Sequence, residues 1–133
     1  MNSLACTIKA VETERALSII TLELRNGTII KSIVIDTPES SPNLKHGNSL
    51  QVLFKETEVA ITTKSIHCIS LENKIEGSIT TIEKQTLISN IHMDTSAGPI
   101  KAMISTSAVN HLQLEVGQRV FALIKLNELM LSF

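Results

Sequence analysis

The feature that most constrains this chain is that it is written twice. Gly47 and Gly117 lie 70 residues apart, as do Lys55 and Lys125, and Glu58 and Glu128. Ile8 and Ile79 lie 71 apart, so a small indel separates the two registers. The run Ser78-Ile79-Thr80-Thr81-Ile82 follows the pattern of Thr7-Ile8-Lys9-Ala10-Val11. Matching order over most of each half indicates two copies of one supersecondary unit, spanning residues 1–63 and 70–133. The linker, roughly Thr63 to Ile69, contains no Gly or Pro, so the units are expected to be held close together. A domain of about 60 residues buries only about 60% of its chain surface and is marginal alone. The second unit, or further chains, must cover the remainder.

Each unit reads as short strands with one helical turn. In the first, Cys6–Val11 alternates apolar and polar residues, Glu12–Arg15 suits a turn, and Leu17–Leu24 is the next strand. Asn26-Gly27 is a strong hairpin signal, because it tolerates positive φ at both central positions. Thr28–Ile35 is the return strand. Asp36-Thr37-Pro38-Glu39 resembles a helix start, but Ser40-Ser41-Pro42 leaves room for about one turn. Leu50–Lys55 is the last long strand, with a short ending at Val59–Ile61. The second unit repeats this with Leu87–Met93, the turn Ser96–Pro99, Ile100–Ile104, an apolar-patterned segment Ala108–Leu114, Val120–Leu126 and Leu129–Leu131.

Composition narrows the function classes. Hydrophobic residues make up 43% and aromatics 2%, with three Phe and no Trp or Tyr. The core must therefore be Ile, Leu and Val, which favours strands. A formal net charge of −1 provides no field to collect nucleic acid or an anionic membrane. Strand faces without aromatics or a basic groove are poor nucleic-acid platforms. Cys6 and Cys68 form no close pair, and His67 beside Cys68 does not complete a tetrahedral set, so no metal site is expected. No signal peptide or apolar stretch of about 20 residues is visible, and a cytoplasmic protein is expected. His46, His67, His92 and His111 are scattered, with no Gly-rich phosphate loop or nucleophile elbow. No catalytic residues are assigned, and no enzyme activity is expected.

Two stretches can meet an anion. In the late strands, Lys125 and Lys55 share a face with Leu123 and Leu53, opposite the expected core face. Each lysine either snorkels at a rim or meets an anion at a subunit contact. Ser105-Thr106-Ser107 places three hydroxyls before a helical turn, where free N–H groups and the local dipole favour negative charge. An ordinary N-cap explains the same residues.

Ser70, Asn73, Gly77, Ile79, Ile82, Ile104-Ser105, Leu112-Gln113-Leu114, Gly117 and Leu123-Ile124-Lys125 together resemble a Mop domain, the molybdate-binding member of the TOBE family. The resemblance implies an all-β fold with short helical turns: two tandem OB-like five-stranded barrels of the TOBE/Mop type. It implies molybdate or tungstate as ligand, held where an opening Ser-x-Arg-Asn, a Thr/Ser segment before the short helix and a late-strand lysine meet across subunit contacts. Carried over by position, these are Ser70, Asn73, Ser105 and Lys125, with Thr106, Ser107 and Ala108 in the same loop and Lys55 in the first unit. It implies a homo-oligomer, by analogy a trimer, and storage or homeostasis of the oxyanion. The alternative is a ligand-sensing or docking module for a molybdate transporter ATPase or a transcription regulator. Three departures stand out. Glu72 occupies the Arg position, and is expected to turn to solvent, to pair with Lys74, or to leave the site weakened or lost. Ser107-Ala108 replaces Asp-Ser. In unit one, Asp36 stands where Ser105 does, and Pro38 lacks an N–H, so that unit is expected to supply its lysine but no complete cradle.

Overall fold

The structure, a computed structural model, describes all residues from Met1 to Phe133. Ten strands form in order: β1 (Asn2–Glu14), β2 (Leu17–Leu24), β3 (Ile29–Val34), β4 (Ser49–Phe54), β5 (Ala60–Thr62), β6 (Asn73–Lys84), β7 (Ile88–Thr95), β8 (Gly98–Ser105), β9 (Arg119–Ile124) and β10 (Met130–Ser132). One helix, α1 (Thr106–Leu112), follows β8. Single 3-10 turns, Glu56–Glu58 and Leu126–Glu128, precede β5 and β10. The fold is all-β, two five-stranded antiparallel sheets of OB-like shape, as expected.

Period-two alternation decides which side chains enter the core. Leu4, Cys6 and Ile8 of β1 point inward, as do Ser18, Ile20, Leu22 and Leu24 of β2. Both long first strands carry a register shift at the same place, between Ile8 and Ala10 and between Ile79 and Thr81. Opposite each shift the chain returns through a glycine at φ 90°: Gly47 N–H donates to Ile8 O at 2.8 Å and Gly117 N–H to Ile79 O at 2.7 Å. The anchors that revealed the repeat are therefore equivalent parts of the two units.

Two local expectations are corrected. The turn placed at Glu12–Arg15 lies later: β1 runs to Glu14, and Arg15 takes the reversal at φ 57°. At Asn26-Gly27 only Gly27 has positive φ. Gly27 N–H donates to Leu24 O, then Leu24 N–H to Thr28 O, a turn closed by a glycine bulge rather than a two-residue hairpin.

The sheets do not follow the covalent halves. Their orders are β10-β4-β1-β2-β3 and β5-β9-β6-β7-β8. The last strand of each repeat is thus exchanged: β5 pairs with β9, and β10 pairs with β4. The 3-10 turn before each exchanged strand packs on the other unit, Glu56–Glu58 on β8 and Leu126–Glu128 on β3. This also explains the plain linker. Because β5 already lies in the second sheet, residues 63–72 need only step across β9 to begin β6, about two strand spacings, on the order of 10 Å. The apolar interior is one continuous cluster of 25 residues drawn from both units, with Phe54 its single aromatic.

Candidate anion site

The two units meet along a seam that is built twice. Asn73 opens β6 and is 1% exposed. Its Oδ1 accepts from Lys31 N–H at 2.7 Å and its Nδ2 donates to Lys31 O at 2.9 Å. Asn2 opens β1 and does the same to Lys101, at 2.8 and 2.9 Å. Each asparagine side chain thus imitates a neighbouring strand and satisfies the backbone of a lysine in the other unit. One Nδ2 hydrogen remains on each amide.

Charges gather at these seams. Lys31 Nζ lies 3.2 Å from Glu72 Oε2. This corrects the expectation for Glu72, which neither faces solvent unpaired nor meets Lys74; Lys74 Nζ instead donates to Ile66 O. At the other seam, the Met1 ammonium lies 2.6 Å from Glu56, and this bond holds the Glu56 carboxyl below its ordinary range. Nearby, His92 Nε2 bonds Glu83 and lowers that carboxyl in the same way. Lys125 and Lys55 cap the 3-10 turns from just beyond β9 and β4, not within them. Both are exposed and neither forms an ion pair. Ser70 is exposed in the loop before β6.

The hydroxyl loop lies elsewhere in the chain. Ser105 is the N-cap of α1, its Oγ accepting from Ala108 N–H at 3.0 Å, so the capping role is real and leaves the hydroxyl hydrogen free. Thr106 is buried; its Oγ1 donates to Gln85 O at 2.6 Å and meets Ser89 Oγ at 2.7 Å. Its hydroxyl is spent inside the fold. Ser107 is exposed, and helix geometry leaves its N–H without an intrahelical partner. In unit one the corresponding stretch forms no helix: Ser41 N–H reaches Thr37 O at 2.8 Å, and Ser40 Oγ bonds Asp36 and Thr37 O.

Of the residues singled out in the sequence, the chain brings Asn73 and Lys125 to one seam, since Asn73 pairs with Ile124 beside Lys125; Ser70 lies three residues earlier in the preceding loop. Lys55 belongs to the other seam, beside Phe54, the partner of Asn2. No hydrogen bond or ion pair joins Ser105, Thr106, Ser107 or Ala108 to either seam. Sequence reasoning missed Lys31 and Lys101. The signal was available, because they stand 70 residues apart like the other anchors. It also missed Asn2, the counterpart of Asn73. The cysteines bear on none of this: Cys68 is exposed, while burial pushes the Cys6 thiol up to about 11.

Residues 69–131 match the TOBE domain. A probable molybdenum-pterin-binding protein of Haemophilus influenzae is 33% identical over 65 residues, 48% of this chain and 94% of that protein. The molybdenum import ATP-binding protein ModC of Mannheimia succiniciproducens is 30% identical over 83 residues, 62% of this chain but only 24% of the ATPase. The fold superimposes on the cytoplasmic molybdate-binding protein ModG, solved with molybdate bound, at a TM-score of 0.91, with 23% identity over 98% of this chain and 94% of that one.

Proposed function

Because this chain belongs to the Mop/TOBE family, we propose that it binds molybdate or tungstate in the cytoplasm, without transforming it, to store or buffer the oxyanion. The observation that carries the proposal is the seam. An exposed lysine, Lys125, stands beside the partner of an asparagine clamped to the other unit, and the exposed Ser70 hydroxyl lies in the loop that leads to it. A small dianion needs such directed donors, since the chain's overall field is close to neutral. Asn73 serves chiefly as the frame, with one N–H left to offer.

The Ser105 hydroxyl and the hydroxyl and backbone N–H of Ser107 supply further donors, with Thr106 anchoring their loop and Ala108 N–H holding the Ser105 cap in place. No hydrogen bond joins that loop to either seam within one chain, and in this proposal it reaches the anion from a neighbouring copy. A homo-oligomer, a trimer by family analogy, is therefore part of the proposal, with Lys55 acting at the second seam. The docking-module alternative is not favoured. The relative matched over nearly its whole length is itself named for binding molybdenum-pterin.

Titration calorimetry with molybdate, tungstate and sulfate, with mass measured by ultracentrifugation, tests this. The expected result is heat from molybdate or tungstate, an oligomer, and a loss of about ten- to hundredfold in Lys125→Ala, the scale of a charged hydrogen bond. No heat from any of the three anions refutes it.

A further inference from the structure

Glu72 directly precedes the seam asparagine, Asn73. Antiparallel pairing of Asn73 with Ile124 and of Lys74 with Leu123, continued by one residue, sets Glu72 opposite Lys125, whose backbone is still extended at φ −67° and ψ 142°. The same carboxylate reaches across the unit boundary to Lys31 at 3.2 Å. Asn73 grips both backbone groups of Lys31, which fixes where its side chain starts while leaving the ammonium free to move. One lysine of the seam, Lys31, is held by a carboxylate carried by the chain itself, with Lys125 next to it across the backbone pairing but free of any ion pair. The second seam is arranged differently, its carboxylate, Glu56, being taken by the Met1 ammonium and not by a lysine. There Phe54 pairs with Asn2, so the position opposite Lys55 is Met1, whose side chain carries no carboxylate. Lys101 forms no ion pair there.

We propose that Glu72 is an internal competitor for the bound anion: it occupies Lys31 in the empty site and must release it for an oxyanion to bind. The inference rests on the oxyanion reading above and adds what sets its affinity. The pair is well suited to yield. Its side chains are 38% and 55% exposed, and exposed pairs are weak, so exchange for a dianion is feasible. A displaced Glu72 remains close and repels the guest, which lowers affinity and favours release. The two seams are then unequal, since at one a carboxylate holds a lysine and at the other Glu56 holds the Met1 ammonium.

Calorimetry with molybdate on the full chain tests this in the wild type, E72Q, E72R, K31M, the E72Q/K31M double variant and E76Q. Glu76 lies on the same strand but pairs with Arg119, about 13 Å along β6, beyond the screening length of about 10 Å at 0.1 M salt. E72Q is expected to tighten binding about three- to tenfold, the scale of an exposed ion pair plus one relieved repulsion. E72R should tighten it further, and E76Q should leave it unchanged. In the K31M background the gain from E72Q should shrink by half or more. An E72Q affinity equal to that of the wild type or of E76Q overturns the proposal, as does an undiminished gain in K31M. Should the wild type be silent while E72Q or E72R binds, the competitor stands and storage by the native chain falls. Silence from every variant removes the oxyanion reading and this inference with it.

Discussion

The seam and the segment after the third strand of each unit show opposite outcomes of the same repeat. At the seam the two copies agree atom by atom: Asn2 grips Lys101 as Asn73 grips Lys31, with all four bonds between 2.7 and 2.9 Å. After β3 and β8 they part, one into a self-bonded polar turn around Thr37–Ser41, the other into α1. The seam groups are buried and must find partners, so the geometry admits few alternatives. The loop is exposed, so its hydroxyls and amides can bond to one another, to solvent or to a guest. Likeness between the units thus marks what assembly requires, and difference marks where ligand chemistry can vary.

The sharpest break in that likeness is Gly77, which faces Cys6 across the repeat. A Cβ at Gly77 would lie 2.7 Å from Asp94 O and 2.7 Å from Thr95 Cγ2, whereas the Cys6 side chain fits and reaches Leu50 O at 3.7 Å. Gly77→Val should cost about 3 kcal/mol or more through overpacking against backbone, and Cys6→Val far less, measured by urea denaturation. Next come the clamps. Asn73→Ala and Asn2→Ala each leave a lysine N–H and C=O without their partner, at about 2–3 kcal/mol, with Asn73 the costlier because it is more deeply buried. Strongly unequal losses would show that the seams are not energetic equivalents. Smaller still, Gly47→Ala and Gly117→Ala should each cost about 1 kcal/mol, since both sit at φ 90° with open space around them. Here the two values should agree, and a large gap would break the comparison.

A further effect appears only in alkali. Burial favours the neutral Cys6 thiol and lifts it to about 11 from 9.0. Between these values the unfolded chain ionises first, so stability present below pH 9 should decline as pH rises towards 11. Cys6→Ala should flatten that limb in denaturation curves taken from pH 8 to 11. Thiol titration at pH 8 should find Cys68 reactive and Cys6 protected until unfolding.

Much of the fold was legible because it is carried by local pattern. The Leu17–Leu24 strand is found where alternation placed it, and Gly47 and Gly117 hold the positive φ that makes glycine the fitting residue. Part of the candidate site was legible too: Lys125 and Lys55 take matching positions at the two 3-10 turns, and Ser105 caps α1. The partners of Glu72 and Asn73 were not, because both lie about forty residues away in the other unit, and spacing along a chain says nothing about contacts across it.

The sequence by itself determined that one strand-rich unit is present twice, that its core is aliphatic, and where its hydroxyls and lysines stand along the chain. Only the tertiary structure decided that β5 and β10 change places, that the seam is clamped by asparagines, and that a carboxylate occupies Lys31. The reason is physical. A three-residue strand such as Ala60–Thr62 carries no address, and either sheet edge offers it the same backbone donors and acceptors. Its destination is fixed by where the residue between the 3-10 turn and the strand, Val59 or Leu129, finds a buried seat, which exists only once both units are packed together.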